Sequence, residues 1–250
     1  HEAQHAGGPE PANDIAHQFL VQVDIHHDVI YGDKVGIKIV HPTPSPPLIP
    51  LQLPPRAQHF TGRQAELTQL LADLQPGRVV TLCGPGGIGK TALAAEAIWT
   101  LAPAGDPPER FPDGIIFHSF YNQPQAALAL EAIARACGEE PRPSPAAAAR
   151  RVLAGRRALL VLEGAEVADD LPAVLAVRGG CGVLVTSRAR QDAVAGRQDL
   201  TPLPDPEAVQ LLQAWGGARA ADEAAARCLC ELVGRLPLAV RLAGRYLAQR

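Results

Sequence analysis

The sequence predicts an α/β fold in which a parallel β-sheet is covered by helices and followed by a small helical subdomain. Three observations predict it. Short, largely apolar runs at 79–83, 114–120, 158–162 and 182–186 alternate with segments of helical period. Parallel strands covered on both faces read in this way. A glycine-rich loop joins the first run directly to a helical segment. After residue 203 the strand-like runs stop and only helical patterns follow. The chain of 250 residues is 47% apolar, so it can build a core, and with 4% aromatics and no Met that core is made mostly of Ala, Leu and Val.

Each element follows from its local pattern. Residues 1–18 are polar with Gly and Pro and are expected to be flexible. In 19–40, Phe19, Val21, Val23 and Ile25 alternate with other residues, as do Val35, Ile37 and Ile39, with Gly32 and Asp33 as turn formers between them. This reads as a short β-hairpin-like segment, which needs something to pack on because two strands alone are marginal in water. Residues 41–57 are a proline-rich linker, extended in polyproline II geometry. From residue 64 a helical period places Ala65, Leu67, Leu70, Leu71 and Leu74 on one face until Pro76-Gly77 ends it.

The first strand, 79–83, leads into a loop at 84–89 and an apolar helix at 90–102 that stops before Pro103. Helices follow at 125–137 and at 145–153, the latter with Ser144 as its N-cap, and a short one at 171–177. Asp205-Pro206 reads as an N-cap followed by proline at the first helical position. Further helical segments run at about 206–215, 220–233 and 238–249. The expected domains are therefore 58–203 for the α/β part and 204–250 for the helical subdomain. The chain begins with His and ends inside a helical pattern, so it is expected to be a fragment of something longer.

A formal net charge of −3 gives no electrostatic footprint for nucleic acid or an anionic membrane, and neither partner is expected. Arg150, Arg151, Arg156 and Arg157 form a local patch that reads as a solvated helix face and a strand start. No apolar run approaches the ~20 residues that span a bilayer, and the first residues lack a signal-peptide pattern. The five cysteines at 83, 137, 181, 228 and 230 show neither zinc-type spacing nor secreted disulfide density, which fits reduced thiols in a cytoplasmic protein. Seven of the eight histidines fall within the first 59 residues. His26 and His27 are adjacent, and neighbours on a strand point to opposite faces, so a solvated turn is favoured there over a metal site. His118, in an apolar strand, reads as a satisfied core residue.

The chemistry is concentrated in Gly84-Pro85-Gly86-Gly87-Ile88-Gly89-Lys90-Thr91, which fits G-x-x-x-x-G-K-[ST] between a strand and a helix. Glycines let main-chain N–H groups wrap an anion without Cβ clashes. The helix start adds a partial positive charge. Lys90 reaches the β- and γ-phosphates, and Thr91 offers a hydroxyl to Mg²⁺. The motif predicts a phosphate-binding loop that takes ATP or ADP with Mg²⁺. In such loops a carboxylate at the end of another central strand holds the metal. Glu163, closing the run Leu159-Leu160-Val161-Leu162, is the candidate, against the plain reading of a polar strand exit. Glu166 either orients water or is simply polar. Arg188, after Thr186-Ser187, either senses the γ-phosphate or is a surface arginine.

Taken together, these residues resemble the NB-ARC module of the STAND signalling P-loop ATPases over 58–250. Phe60-Thr61-Gly62-Arg63 with Gln64-Ala65-Glu66-Leu67 resembles the motif that lies over the adenine. Gly84 to Ala92 resembles the family's phosphate loop and the start of its helix. Leu159 to Glu163 and Val183 to Arg188 resemble its acidic and sensor strands. Gly234-Arg235-Leu236-Pro237-Leu238-Ala239 resembles its G-x-P-L motif, whose proline, here Pro237, packs near the base. The resemblance implies a P-loop NTPase sheet of order 5-1-4-3-2 followed by a helical lid, and a switch in which ADP holds a closed monomer. Exchange for ATP would then allow homo-oligomerisation through the ATPase domain. It implies an upstream effector or downstream sensor domains outside this chain, in bacterial relatives for defence or regulation. The family's acidic strand often ends in two acids, usually Asp first; this one ends Glu163-Gly164. Residues 29–40 are similar to short β-forming segments that precede the ATPase in some bacterial relatives. Two function classes stay open: a slow Mg-dependent ATPase switch with Lys90, Glu163 and Arg188 in catalytic roles, or an ADP-loaded, non-hydrolysing scaffold. A metabolic kinase is disfavoured, because no acceptor-binding base is present.

Overall fold

The computed structural model describes residues 48–192 and 196–249. The N-terminal and hairpin-like segments expected at 1–40, with His26 and His27, and the first part of the linker lie outside the described residues.

Five parallel strands form one sheet: β1 (Val79–Cys83), β2 (Ile115–Ser119), β3 (Leu159–Glu163), β4 (Gly182–Ser187) and β5 (Gly196–Asp199). Their order is β2-β3-β4-β1-β5, the expected 5-1-4-3-2 seen from the other edge. β1 lies between β4 and β5, with Cys83 opposite Ser187 on one side and Asp199 on the other. β3 pairs with both β2 and β4, placing Glu163 level with Ser119 and Thr186. The C-terminal ends of β1 to β4 therefore form one rim, where open α/β sheets bind ligands.

Alternation along the strands sorts side chains to two faces. Ile116, Leu160, Leu162, Val183 and Val185 pack with Ile133, Leu153 and Val174. These come from α3 (Ala126–Ala136), α4 (Pro145–Leu153) and α5 (Leu171–Ala176). Ile115, Leu159, Val161, Leu82 and Leu184 pack on the other face with Leu67, Leu70, Leu93 and Ile98. Those belong to α1 (Gln64–Asp73) and α2 (Lys90–Leu101). Burial on both faces explains why the central strands are unbroken apolar runs. β5 is different: its sequence Gly-Arg-Gln-Asp is polar and mostly exposed, as befits an edge strand.

After β5 the chain builds a third core around Leu203, Val209, Leu212, Cys230 and Val240. It lies between α6 (Asp205–Gly216), α7 (Glu223–Leu232) and α8 (Pro237–Ala248). Ser144 caps α4, its Oγ accepting from the Ala147 N–H at 3.3 Å. The start expected at Asp205-Pro206 differs by one residue. The helix already includes Asp205, with Pro204 at the N-cap, and the Asp205 carboxylate instead accepts from Arg235 Nη1 at 2.6 Å. Cys230 is buried and Cys228 exposed, the split expected for residues two apart on a helix. Among the described residues no helix is long and apolar enough to cross a membrane.

Candidate functional site

The loop 84–89 leaves β1 at the sheet's C-terminal rim and runs into α2. Gly87 and Gly89 have φ of 77° and 98°, a region that side-chain-bearing residues rarely adopt. Ile88 is fully buried and pins the loop to the sheet below. Lys90 is only 7% exposed. Its Nζ folds back and donates to the carbonyls of Gly84 at 2.7 Å and Pro85 at 3.1 Å. Burial pushes its pKa down, with Glu166 opposing that shift and Arg188 adding to it. A desolvated ammonium held only by carbonyls is an electrostatic invitation to an anion.

On the adjacent turn of the rim, the Thr91 hydroxyl donates to Glu163 Oε1 at 2.6 Å. The pair puts a hydroxyl and a carboxylate side by side at the mouth of the loop. Beyond Glu163, Gly164 takes φ of 73°, and its N–H donates to Thr186 Oγ1 at 3.2 Å. A single 3₁₀ turn, Ala165–Val167, then presents Glu166. Glu166 meets Tyr121, which follows the end of β2, and Arg188, which follows the end of β4.

The opposite wall is built from the segment before α1 and from the helical subdomain. Phe60, Trp215, Pro237 and Leu238 face the same cleft, whose volume is about 620 Å³, within the usual range for small-molecule sites. His59 stacks edge-on against Trp215 at 5.1 Å. The Leu238 N–H donates to the Gly87 carbonyl at 3.1 Å, so the start of α8 rests on the loop. Arg63, 3% exposed, ties three segments together. Its Nη2 donates to the carbonyls of Ile88 at 2.9 Å and Thr201 at 2.8 Å. Nη1 meets Glu66 at 3.1 Å, and the backbone N–H donates to Glu207 Oε2 at 3.2 Å. A Cβ on Gly62 would collide with that same Glu207 carboxylate.

Phe60, Arg63, Gly86, Gly87, Gly89, Lys90, Thr91, Ala92, Glu163, Arg188 and Pro237 all border the one cleft. Gly84 and Pro85 instead give their carbonyls to Lys90, Ile88 points into the core, and Gly62 packs on Glu207. Tyr121, Trp215 and Arg241 also line the cleft and were not singled out from sequence. The available signal was position, since Tyr121 follows directly after a strand on the ligand-bearing rim. His118 is 4% exposed and sits beside the Gln123 carbonyl at 3.1 Å, as a satisfied core histidine should.

A five-stranded parallel sheet of this order, with a lysine-bearing glycine loop after its β1, defines the fold of the P-loop ATPases. Among solved structures, the chain superposes on the Walker-type ATPase PABY2304 of Pyrococcus abyssi with a TM-score of 0.56. That match has 15% identity and covers 80% of this chain and 71% of that one. A chain of Drosophila ORC bound to DNA gives a TM-score of 0.57 at 15% identity, covering 76% of this chain and 55% of that one. No family model matches the chain. In sequence it is 35% identical over 222 residues to the regulatory protein AfsR of Streptomyces griseus, across 81% of this chain and 22% of that protein. AfsR of Streptomyces coelicolor is 34% identical over 229 residues, with the same coverage of 81% and 22%. The chain thus spans about a fifth of the length of these curated relatives.

Proposed function

We propose that residues 58–250 are the ATP- or ADP-binding module of a larger regulatory protein, working as a STAND-type switch of the NB-ARC kind. Residues 58–203 hold the nucleotide, and 204–250 close over its base. The observation that carries this reading is the 2.6 Å contact of Thr91 with Glu163 beside a lysine-capped glycine loop. A hydroxyl and a carboxylate there suit Mg²⁺, which takes one or two protein oxygens and completes its shell with phosphate and water. The long similarity to AfsR regulatory proteins supports the regulatory setting.

In this reading the main-chain amides of Gly86, Gly87 and Gly89 wrap the phosphates. Lys90 exchanges its carbonyl partners for phosphate oxygens. Thr91 and Glu163 hold the metal, which when bound neutralises phosphate charge. Arg188 stands on the rim where a third phosphate arrives. Phe60 and Pro237 flank the base. Glu163 is followed by Gly164 rather than a second acid, so turnover is expected to be slow, below about one per minute against an enzyme median near ten per second. Exchange of ADP for ATP, more than hydrolysis, would then set conformation and homo-oligomerisation through the ATPase domain. The same Glu163-Gly164 feature favours, as a second reading, an ADP-loaded scaffold that never turns over.

Calorimetric titration with ADP and ATP, with and without Mg²⁺, tests the binding claim. Wild-type protein should bind both, and Lys90→Ala should lose at least tenfold in affinity. Undiminished binding by Lys90→Ala would defeat it. Phosphate release from Mg-ATP separates the switch from the scaffold, because only the switch gives a rate that Glu163→Gln abolishes.

A further inference from the structure

The cluster of Tyr121, Glu166 and Arg188 has a geometry that the loop motif does not explain. Glu166 is drawn in by donors from two other segments. The Tyr121 hydroxyl donates to Oε1 at 2.6 Å. The Arg188 backbone N–H donates to Oε2 at 3.0 Å. Arg188 Nε meets Oε1 at 3.2 Å. Both carboxylate oxygens are thereby engaged, and the Glu166 side chain is only 13% exposed. Burial works against its charge, yet the bonds from Tyr121 and Arg188 prevail and hold its pKa below the ordinary value.

Arg188 is held on three sides. Glu166 fixes its backbone and its Nε, the nitrogen nearest the chain. The Tyr121 ring lies under the guanidinium, with Cζ 5.5 Å from the ring centroid. Its Cζ and Nε come within 3.7 and 3.8 Å of where a Cβ on Gly86 would stand, so the group rests on the phosphate loop itself. The side chain remains 59% exposed toward the cleft. The Tyr121 side chain also engages the guanidinium, and an arginine gripped through Nε presents the outer side of its planar fork to an anion. These contacts reduce the rotamer entropy left to lose when a ligand arrives.

We infer that Glu166 is a positioning residue that, together with the Tyr121 hydroxyl, presets Arg188 over the phosphate loop so that the site distinguishes a nucleoside triphosphate from a diphosphate. This rests on the nucleotide-binding reading above and names the regulation of that site. The carboxylate serves the arginine and is not a base for water. The ion pair contributes little net charge, so it offers no general attraction to every phosphate. Its value lies in orientation, and only a phosphate beyond the second reaches the preset fork.

The test is a double-mutant cycle on the full chain, with ADP and Mg-ATP affinities measured by calorimetry and folding checked by thermal melts. Glu166→Ala and Arg188→Ala should each lower the ATP-over-ADP preference, taken as the ratio of the two affinities, about tenfold. The double variant should be no worse than either single one, as for two groups acting as a unit. Tyr121→Phe, which keeps the ring and removes one hydrogen bond, should lower the preference by a smaller factor. An unchanged preference in a folded Glu166→Ala, or additive losses in the double variant, overturns the inference. If Glu166→Ala fails to fold, Glu166→Gln carries the same expectation and the same refutation, and an unchanged preference in Tyr121→Phe counts against the inference as well. Wild-type protein that binds neither nucleotide would instead refute the underlying reading.

Discussion

His118 shows how burial writes a pH dependence into a single side chain. It lies on β2 at 4% exposure, stacked edge-on against Phe120 at 4.8 Å. Burial lowers its pKa below 6.5, and the Gln123 carbonyl only partly opposes this. The sign follows from linkage. As pH falls through about 6.5, the unfolded chain takes up a proton that the folded chain refuses. Stability is therefore present above that pH, declines between it and the depressed folded value, and levels off below. Urea midpoints between pH 7.5 and 5 should fall for wild type, and the fall should be smaller in His118→Gln. Equal slopes in the two proteins would show that other groups carry the acid response. At this scale, chemistry is legible in sequence only when it is contiguous. The loop residues from Gly84 to Thr91 could be read directly because one turn of chain contains them. Tyr121 and Glu166 are 45 residues apart, and only the parallel register, which sets Ser119 level with Glu163, brings the segments after them together.

Elements were legible where burial forced a pattern. β1, β3 and β4 are covered on both faces and read as apolar runs, and α4 announces itself through Ser144 and Pro145. β5 could not be located, because an edge strand with an exposed Gly-Arg-Gln-Asp sequence carries no apolar period. Its identity comes from pairing with β1, which is a tertiary fact. The crossing of α6 and α8 is similarly silent in sequence, apart from two small residues. A Cβ on Gly244 would lie 2.7 Å from the Trp215 Cβ and 2.9 Å from the Leu212 carbonyl oxygen. Both neighbours belong to a helix and cannot simply swing aside. Gly244→Val should push the helices apart and cost about 1–3 kcal/mol by overpacking. The readout is a lower melting midpoint, accompanied by changed Trp215 fluorescence. A neutral effect would mean that α8 is free to shift.

Across the whole molecule, the cleft exists because two packed parts meet at the short segment 200–204. Arg63 holds the carbonyls of Ile88 and Thr201 in one guanidinium, Glu207 of α6 accepts the Arg63 backbone N–H, and Leu238 of α8 donates to Gly87. The helical subdomain is thus tied to the loop by one main-chain hydrogen bond, from Leu238 to Gly87, and to the segment before α1 by the Glu207 carboxylate, and a change at the phosphates has a short mechanical route to α6 and α8. Glu207 is the tie that can be removed with least collateral damage, since it sits outside the phosphate loop and Gly62 beneath it has no side chain to lose packing. A ligand that bridges both parts should stabilise them together, by about 2.7 kcal/mol at a hundredfold excess over Kd. In wild type, ADP should therefore raise the melting midpoint and slow proteolysis at 200–204. In Glu207→Ala the helical part can swing open, so the same ADP excess should protect 200–204 less and dissociation should quicken, while α1 to α5 and the sheet keep their exchange protection. If ADP protects 200–204 equally in both proteins, the two parts are held by the Arg63 guanidinium and the Leu238 contact, and the Glu207 contact plays no part in closing the cleft.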